Sequence, residues 1–148
     1  MWISFLNGVN SAEAAYLAVC IAEDHPLIIP GLVRTEVLLG ARTEADALRM
    51  SRSLSAYPLV PEPTPSDYEQ AAVIYRTCRG RGFTIRSTID CLIAQLCLRD
   101  SYELLARDRD FDAIGNSYAL RRVPTRLMVH DPGIGYDVSA ASITSAGV

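Results

Sequence analysis

The sequence predicts an α/β fold, in which a parallel sheet is covered by helices on both faces. Segments with apolar residues at helical spacing alternate along the chain with short apolar runs that are typical of buried strands. Several helical segments begin at Ser or Thr residues, which are good N-caps. A chain of 148 residues with 49% hydrophobic and 21% charged residues can form one domain with its own core. We therefore expect a single α/β domain.

The first half of the chain predicts three helices and two strands. After a short apolar start that ends at the turn signal Asn7-Gly8, Ser11 is a fair N-cap for the first helix. Thr43 and Asp46 resemble a capping box for the third. Pro58 and Pro61 make the second strand an edge strand. The predicted elements are helices at 11–23, 32–41 and 43–55, a strand at 27–29 and an edge strand at 57–60.

The second half predicts two longer helices, a buried strand and shorter elements. A capping box from Ser66 to Glu69 is predicted to open a helix that ends near Arg79, before two glycines. Ser87 and Thr88 are good N-caps for a helix at 89–98. The other predicted elements are a strand at 102–106, a helical turn at 112–116 and a last strand or hairpin at 120–123 and 126–129. The composition then shifts to Gly, Ser, Ala and Thr, which predicts a domain over residues 1–130 and a mobile tail at 131–148.

Three aspartates in residues 84–111 predict a metal site. Asp90 lies in the first turn of an otherwise apolar helix, and Asp108 and Asp110 directly follow the buried strand at 102–106. Ligands of open α/β sheets bind beyond the carboxyl ends of the strands, where these side chains can converge. Carboxylates without cysteine or histidine suit Mg2+ or Mn2+. The alternative for Asp90 is a capping carboxylate that interacts with the helix dipole.

The basic residues are all arginines, and their positions matter more than the overall charge. A net charge of -3 argues against binding nucleic acid by overall charge. Four arginines nevertheless lie before the Asp90 helix, and the guanidinium fork matches phosphate. The alternative is a solvated helix end whose cations complement the dipole. These arginines are Arg76, Arg79, Arg81 and Arg86.

Other side chains and the apolar runs argue against several kinds of protein. The four cysteines show no C-x-x-C spacing and indicate reduced core thiols, and two histidines offer little to zinc. No apolar run reaches the roughly 18 residues that span a bilayer, and the first residues lack the charged start of a signal peptide. We therefore expect no membrane partner and a cytoplasmic location.

Two segments resemble acidic motifs of a known family. GFTIRSTIDCLIA (82–94) and LLARDRDFDAIG (104–115) look like the third and fourth acidic motifs of PIN-domain ribonucleases, especially the VapC toxins of bacterial toxin-antitoxin pairs. TEVLLGAR (35–42) resembles the second motif, so Glu36 is interpreted as a site residue rather than a solvent-facing glutamate. The resemblance covers about residues 2–129 and implies a three-layer α/β/α fold with a central parallel sheet.

The first motif of that family has only a partial counterpart. The family's central first strand ends in an aspartate, in a pattern like V-D-T-S-x-W-I, and Trp2-Ile3 matches only its last part. Either the start lies upstream, or the first strand and its aspartate are lost. Unpaired ladder groups on the two neighbouring strands would be costly, so we expect the upstream start.

The resemblance implies a metal-dependent endoribonuclease. Carboxylates of such enzymes hold one or two Mg2+ or Mn2+ ions that activate water for attack on a phosphodiester. On this interpretation Asp90 and Glu36 are ligands or base-orienting groups, Asp108 is a ligand and Asp110 an outer-shell metal partner. Ser87 or Thr88 would hydrogen-bond a carboxylate, and Arg81 and Arg86 would contact RNA phosphates.

The resemblance also implies partners, and two other functions stay open. RNA is the implied substrate, a small VapB-like antitoxin the implied inhibitor and a homodimer the implied assembly. The first alternative is a PIN-like module that binds RNA or protein without cutting, because the first acid is missing. The second is a phosphatase or phosphotransfer domain, for which Asp-x-Asp after a strand is also typical. The lack of any lysine counts against the second.

Overall fold

The computed structural model of the protein describes residues 2–124 and 142–144. Helices and short strands alternate along the described chain. The helices are α1 (Trp2–Leu6), α2 (Ala12–Ala22), α3 (Gly31–Leu39), α4 (Glu44–Leu54), α5 (Pro65–Gly80), α6 (Thr88–Asp100) and α7 (Asp110–Gly115). The strands are β1 (Leu27–Ile28), β2 (Glu103–Leu105) and β3 (Ser142–Thr144). Within residues 2–124, no helix combines the length and apolar character that are needed to cross a bilayer.

Most helix starts follow the local signals in the sequence. The side chains of Ser11, Thr43 and Ser87 each accept a hydrogen bond from a backbone N–H three residues ahead, so these N-caps are confirmed. The capping box predicted from Ser66 to Glu69 is wrong, because the box of α5 is formed by Thr64 and Asp67. Pro65 explains the shift: it has no N–H to lose at the first helical position, so the residue before it becomes the cap.

The described strands form one small parallel sheet. Its order is β1-β3-β2, and Ile143 of β3 is in register with Ile28 on one side and Leu104 on the other. Two isolated parallel bridges extend the pairing, one from Ile29 to Leu59 and one from Leu104 to Arg122. The strands predicted at 57–60 and 120–123 are thus reduced to single bridges. Strands of two or three residues do not by themselves confirm the extended central sheet that the resemblance implies.

The central strand comes from a part of the sequence where no regular element was predicted. Residues 142–144 lie in the segment expected to be a mobile tail, and at these three residues the chain is a strand instead. Ile143 and Thr144 are β-branched, but two such residues within a tract of Gly, Ser and Ala are too short a signal, so the pairing with β1 and β2 defines this element. The strand predicted at 126–129 and the domain boundary after residue 130 lie outside the described residues.

The core is built around α6, which is packed against α5 and α7. Six residues of α6 are buried, including all but one of its positions from 91 to 97. The buried leucine and isoleucine side chains of α6 each stabilise the fold by roughly 1.5–3 kcal/mol before conformational entropy is counted. The four cysteines are buried and free, in agreement with the prediction of core thiols.

A buried ion-pair network joins the N-terminus of α5 to the C-terminal turn of α6. Asp67 is only 3% exposed, and its Oδ2 lies 2.6 Å from Nη1 of Arg99. Gln95 donates to the other oxygen of Asp67, and Arg99 also pairs with Asp100 at 2.7 Å. The backbone N–H of Thr64 is the main cause that holds the pKa of Asp67 well below its usual range. Sequence analysis missed this network, which fixes the helix that carries Asp90.

Candidate metal centre

Three aspartates from two neighbouring parts of the chain meet at one site. Asp90 lies in the first turn of α6, Asp108 in the loop after β2 and Asp110 at the start of α7. Within the described residues, each of the three offers a carboxylate oxygen, and these oxygens lie within 4.8 Å of one another. The structure thus brings together three of the four acids that the sequence singled out. The short β2 and the turn after α6 place them at the carboxyl end of a parallel strand.

Asp110 is buried and held by backbone groups. Its Oδ2 accepts hydrogen bonds from the backbone N–H of Arg86 at 2.6 Å and of Ser87 at 3.3 Å. Its own N–H donates to Oδ1 of Asp108 at 2.9 Å. These bonds compensate the burial of its side chain, which is 4% exposed. Asp110 therefore ties the segment before α6 to the loop that carries Asp108.

Arg86 is the cation nearest to the carboxylates. Its Nη2 lies 2.8 Å from Oδ1 of Asp108, and its Nε lies 3.3 Å from Oδ1 of Asp110. The Arg86 side chain is 67% exposed, so the pair is open to solvent on one side. Arg81, the other arginine expected to contact RNA, donates instead to the backbone oxygen of Asn116 at 3.4 Å. Arg86, one of the two arginines predicted to contact phosphate, thus already neutralises part of the acidic site.

The carboxyl group of Asp90 is destabilised in its charged form. Burial is the main cause that raises its pKa to about 7, and the negative charges of Asp108, Asp110 and Glu36 raise it further. The positive charge of Arg86 acts in the opposite direction. A group with this pKa is partly protonated at neutral pH unless another cation approaches it.

Glu36 contributes charge rather than close contact. It lies on α3 and is partly buried, and burial raises its pKa above the usual value. It does not belong to the group whose oxygens lie within 4.8 Å of one another. Its negative charge is one of the causes that raise the pKa of Asp90, so it acts on this site electrostatically. The structure therefore separates Glu36 from the three aspartates as a more distant acid.

The donor set fits a hard divalent cation. All the grouped ligand atoms are carboxylate oxygens, and the group contains no histidine or cysteine, as Mg2+ and Mn2+ prefer. A cation there would also relieve the repulsion that raises the pKa of Asp90. Sequence analysis anticipated the three aspartates but not the ion pairs of Arg86, because those depend on how the loop after β2 folds back onto residue 86.

Comparisons with known proteins identify the family of this chain. The chain matches the family model described as PIN domain over residues 1–116, a range that contains all four acids. It is 31% identical over 114 residues to the VapC ribonuclease Mb1587 of Mycobacterium bovis. The aligned residues cover 76% of this chain and 85% of that protein. Ribonuclease VapC11 from two strains of Mycobacterium tuberculosis gives the same identity and coverage.

Proposed function

The chain belongs to the PIN-domain family, and we propose that it is a metal-dependent endoribonuclease of the VapC type. Membership implies a three-layer α/β/α fold. The observation that carries the proposal is the group of three aspartates at the carboxyl end of β2, with the charge of Glu36 beside it. The names of the relatives supply the substrate class, which is RNA.

We assign different roles to the four acids according to their surroundings. Asp90 and Asp108 are partly exposed and are the direct ligands. Asp110 is buried and already accepts hydrogen bonds from two backbone N–H groups, so it orients Asp108 and the segment around Arg86. Glu36 lies further away, and its raised pKa suits a group that accepts or orients the proton of the attacking water.

Mg2+ or Mn2+ bound at these oxygens supplies Lewis-acid activation of water and neutralises charge on the phosphate. The chain's own residues then hold the substrate in position. Arg86 lies next to the ligands, where its fork can contact a phosphate oxygen. Arg81 is exposed and lies five residues earlier in the chain. We propose that both contact the RNA backbone.

The partners follow from the same family. We propose a small VapB-like antitoxin that covers the acidic site and a homodimer as the assembly. The partly exposed acids Asp90 and Asp108 would pair with a basic side chain of the inhibitor, since charge-assisted pairs are the strong ones. Co-purification from the native host should then recover a protein of under ~100 residues, which is small enough to fold only marginally alone. Repeated isolation without such a companion would argue against this part.

The central experiment compares cleavage with and without metal. Structured RNA is incubated with the protein in Mn2+ or Mg2+, in parallel with EDTA and with a small phosphate ester as substrate. We expect RNA products only with metal, and none from Asp108→Asn. Asp24→Asn is the matched control, because Asp24 is exposed and outside the acidic group. Hydrolysis of the ester but not of RNA would favour a phosphatase, and RNA binding without cleavage would favour a binding module.

A further inference from the structure

A polar cavity lined by arginines lies at the loop after β2. Its volume is about 550 Å3, and Arg107, Arg109 and Arg122 line it together with Glu13 and Asp112. This volume falls within the range of small-molecule sites in proteins, ~300–1,000 Å3. None of the acids or arginines assigned a role in the proposed reaction lines the cavity. The cavity is therefore lined by residues that the proposed reaction does not use.

The position of the cavity follows from the sheet. β2 ends at Leu105, and Arg107 lies two residues beyond that end. The parallel bridge between Leu104 and Arg122 brings the chain of Arg122 alongside β2 in the same direction. The cavity thus lies at the carboxyl ends of two parallel segments, where ligands of α/β sheets bind. Arg107 and Arg109 also flank Asp108 in sequence, so the cavity and the carboxylate group share the loop after β2.

The charges in the cavity are not balanced. Asp112 pairs with Arg122, which also donates to the backbone oxygen of Ala106 at 2.8 Å. Within residues 2–124, the exposed guanidiniums of Arg107 and Arg109 make no hydrogen bond or ion pair. Glu13 is the other acid that lines the cavity. Two guanidinium forks are therefore free to bind an anion.

Arg122 has an incomplete set of hydrogen bonds as well. Its Nε is buried and has no acceptor among the described residues, although both of its terminal nitrogens are bonded. A buried donor without an acceptor is uncommon, because it keeps the cost of desolvation without compensation. The buried Nε is not accessible to a ligand in the cavity, so the exposed forks of Arg107 and Arg109 are the groups that can bind an anion there.

We propose that this cavity binds a backbone phosphate of the RNA next to the bond that is cut, through Arg107 and Arg109. The proposal rests on the proposed function for the identity of the polymer, and it adds a subsite that the acidic group does not contain. Arg81 and Arg86 already donate to protein oxygens, whereas Arg107 and Arg109 can bind phosphate without first breaking such contacts. A planar fork suits the two free oxygens of a phosphodiester. An acidic peptide is the competing ligand, and the test below includes it.

The test measures RNA binding without cleavage. A fluorescein-labelled single-stranded RNA is titrated with protein in EDTA at several salt concentrations, and anisotropy reports the dissociation constant. The variant is Arg107→Gln combined with Arg109→Gln. Arg42→Gln combined with Arg52→Gln is the matched control, since both of these arginines are exposed and do not line the cavity.

Loss of two phosphate contacts has a quantitative signature. For single strands the slope of log K against log salt changes by about 0.7 for each contact. We expect the cavity variant to bind more weakly and to lose about 1.4 from the slope, while the control pair keeps the wild-type slope. Inorganic phosphate should displace the RNA only at far higher concentration than unlabelled RNA does, if the site recognises the polymer.

Different failures have different meanings. If the cavity variant keeps the wild-type slope, or if both pairs lose the same amount, the subsite is wrong, whereas cleavage by the wild type would still support the proposed function. If a labelled polyglutamate peptide binds to the wild type but not to the cavity variant, while RNA binding is unchanged, the cavity belongs to a protein partner and the proposal is overturned. A wild type that neither binds nor cuts RNA overturns both proposals. If the wild type binds RNA but does not cut it, only the catalytic function fails.

Discussion

At the scale of single residues, burial and the neighbouring acids both disfavour the charged form of Asp90. The sequence predicted its place in the first turn of a helix, because the N-cap Ser87 and the apolar run are local signals. Its raised pKa could not be predicted, since that depends first on its burial in the fold, and then on acids 18 and 20 residues further along the chain and on Glu36 from another helix. The spacing of the site was therefore predictable, and its electrostatics were not.

The raised pKa of Asp90 predicts that the metal-free protein loses stability as the pH rises. Between the ordinary value near 4 and the folded value of about 7, the folded state binds more protons than the unfolded state. The free energy of unfolding must then fall as the pH rises through this window. For Asp90→Asn the fall should be smaller by about 1–2 kcal/mol, less than full linkage because a partly exposed carboxylate is screened.

Urea unfolding in EDTA from pH 4 to pH 8 measures this difference. Asp90→Asn should be more stable than the wild type at pH 8 and equal to it near pH 4. Asp24→Asn, which removes an exposed carboxylate, should follow the wild-type curve. If the free energies of unfolding of the wild type and Asp90→Asn change in parallel with pH, the pKa of Asp90 is not raised in the folded state.

Arg86 competes with a metal ion for the same oxygens. It pairs with Asp108 at 2.8 Å and with Asp110 at 3.3 Å. Arg86→Gln should therefore lower the dissociation constant for Mn2+ by roughly twofold to fivefold, because an exposed ion pair is weak and is easily displaced. Isothermal titration calorimetry measures the change. Arg81→Gln, which leaves the carboxylates untouched, is the control, and equal metal affinity in all three proteins would refute the competition.

At the scale of elements, α5 and α6 are held together by the network of Asp67 and Arg99. Asp67→Asn should lower the free energy of unfolding by about 1–3 kcal/mol at pH 7, because it weakens hydrogen bonds to a charged group. Since the pKa of Asp67 is depressed, this contribution exists above the ordinary pKa of an aspartate and is lost as the pH falls below it. Chemical denaturation at pH 7 and pH 3 measures both effects.

Glu69→Gln provides the control for this prediction. Glu69 is exposed on the same helix and is the residue that the sequence had assigned to the capping box. Its replacement should change the free energy of unfolding by less than about 0.5 kcal/mol. A larger loss for Glu69→Gln than for Asp67→Asn would contradict the box formed by Thr64 and Asp67.

The elements differ in how well the sequence predicted them. Helices with a capping residue and an apolar stripe were predicted to within a few residues, because both signals are local. The box of α5 was misplaced because Ser66 to Glu69 and Thr64 to Asp67 fit the same pattern, and Pro65 alone distinguishes them. Strands were less predictable, since a run of two or three residues becomes a strand only through its partners.

At the scale of the whole molecule, the sheet depends on a segment far from its neighbours in sequence. β3 lies between β1 and β2, so residues from the end of the printed chain pair with residues near 27 and 104. The sequence analysis expected the central position to belong to a strand ahead of Trp2. Pairing over more than a hundred residues leaves no local pattern, which is why it was not predicted.

The central position of β3 predicts that a backbone substitution in this strand weakens the sheet. Ile143 is in register with Ile28 and with Leu104, and proline at this position cannot donate to the ladder. Ile143→Pro should lower the free energy of unfolding by about 1–3 kcal/mol, the cost of a lost bond and an unsatisfied acceptor. Ile143→Ala removes the side chain but keeps the N–H, so it separates backbone from side-chain effects. Hydrogen exchange should be faster for the proline variant in the strand that loses its bond to residue 143, either β1 or β2, with α5 and α6 still protected. Equal exchange in the proline and alanine variants would mean that β3 does not hold the sheet together through its backbone.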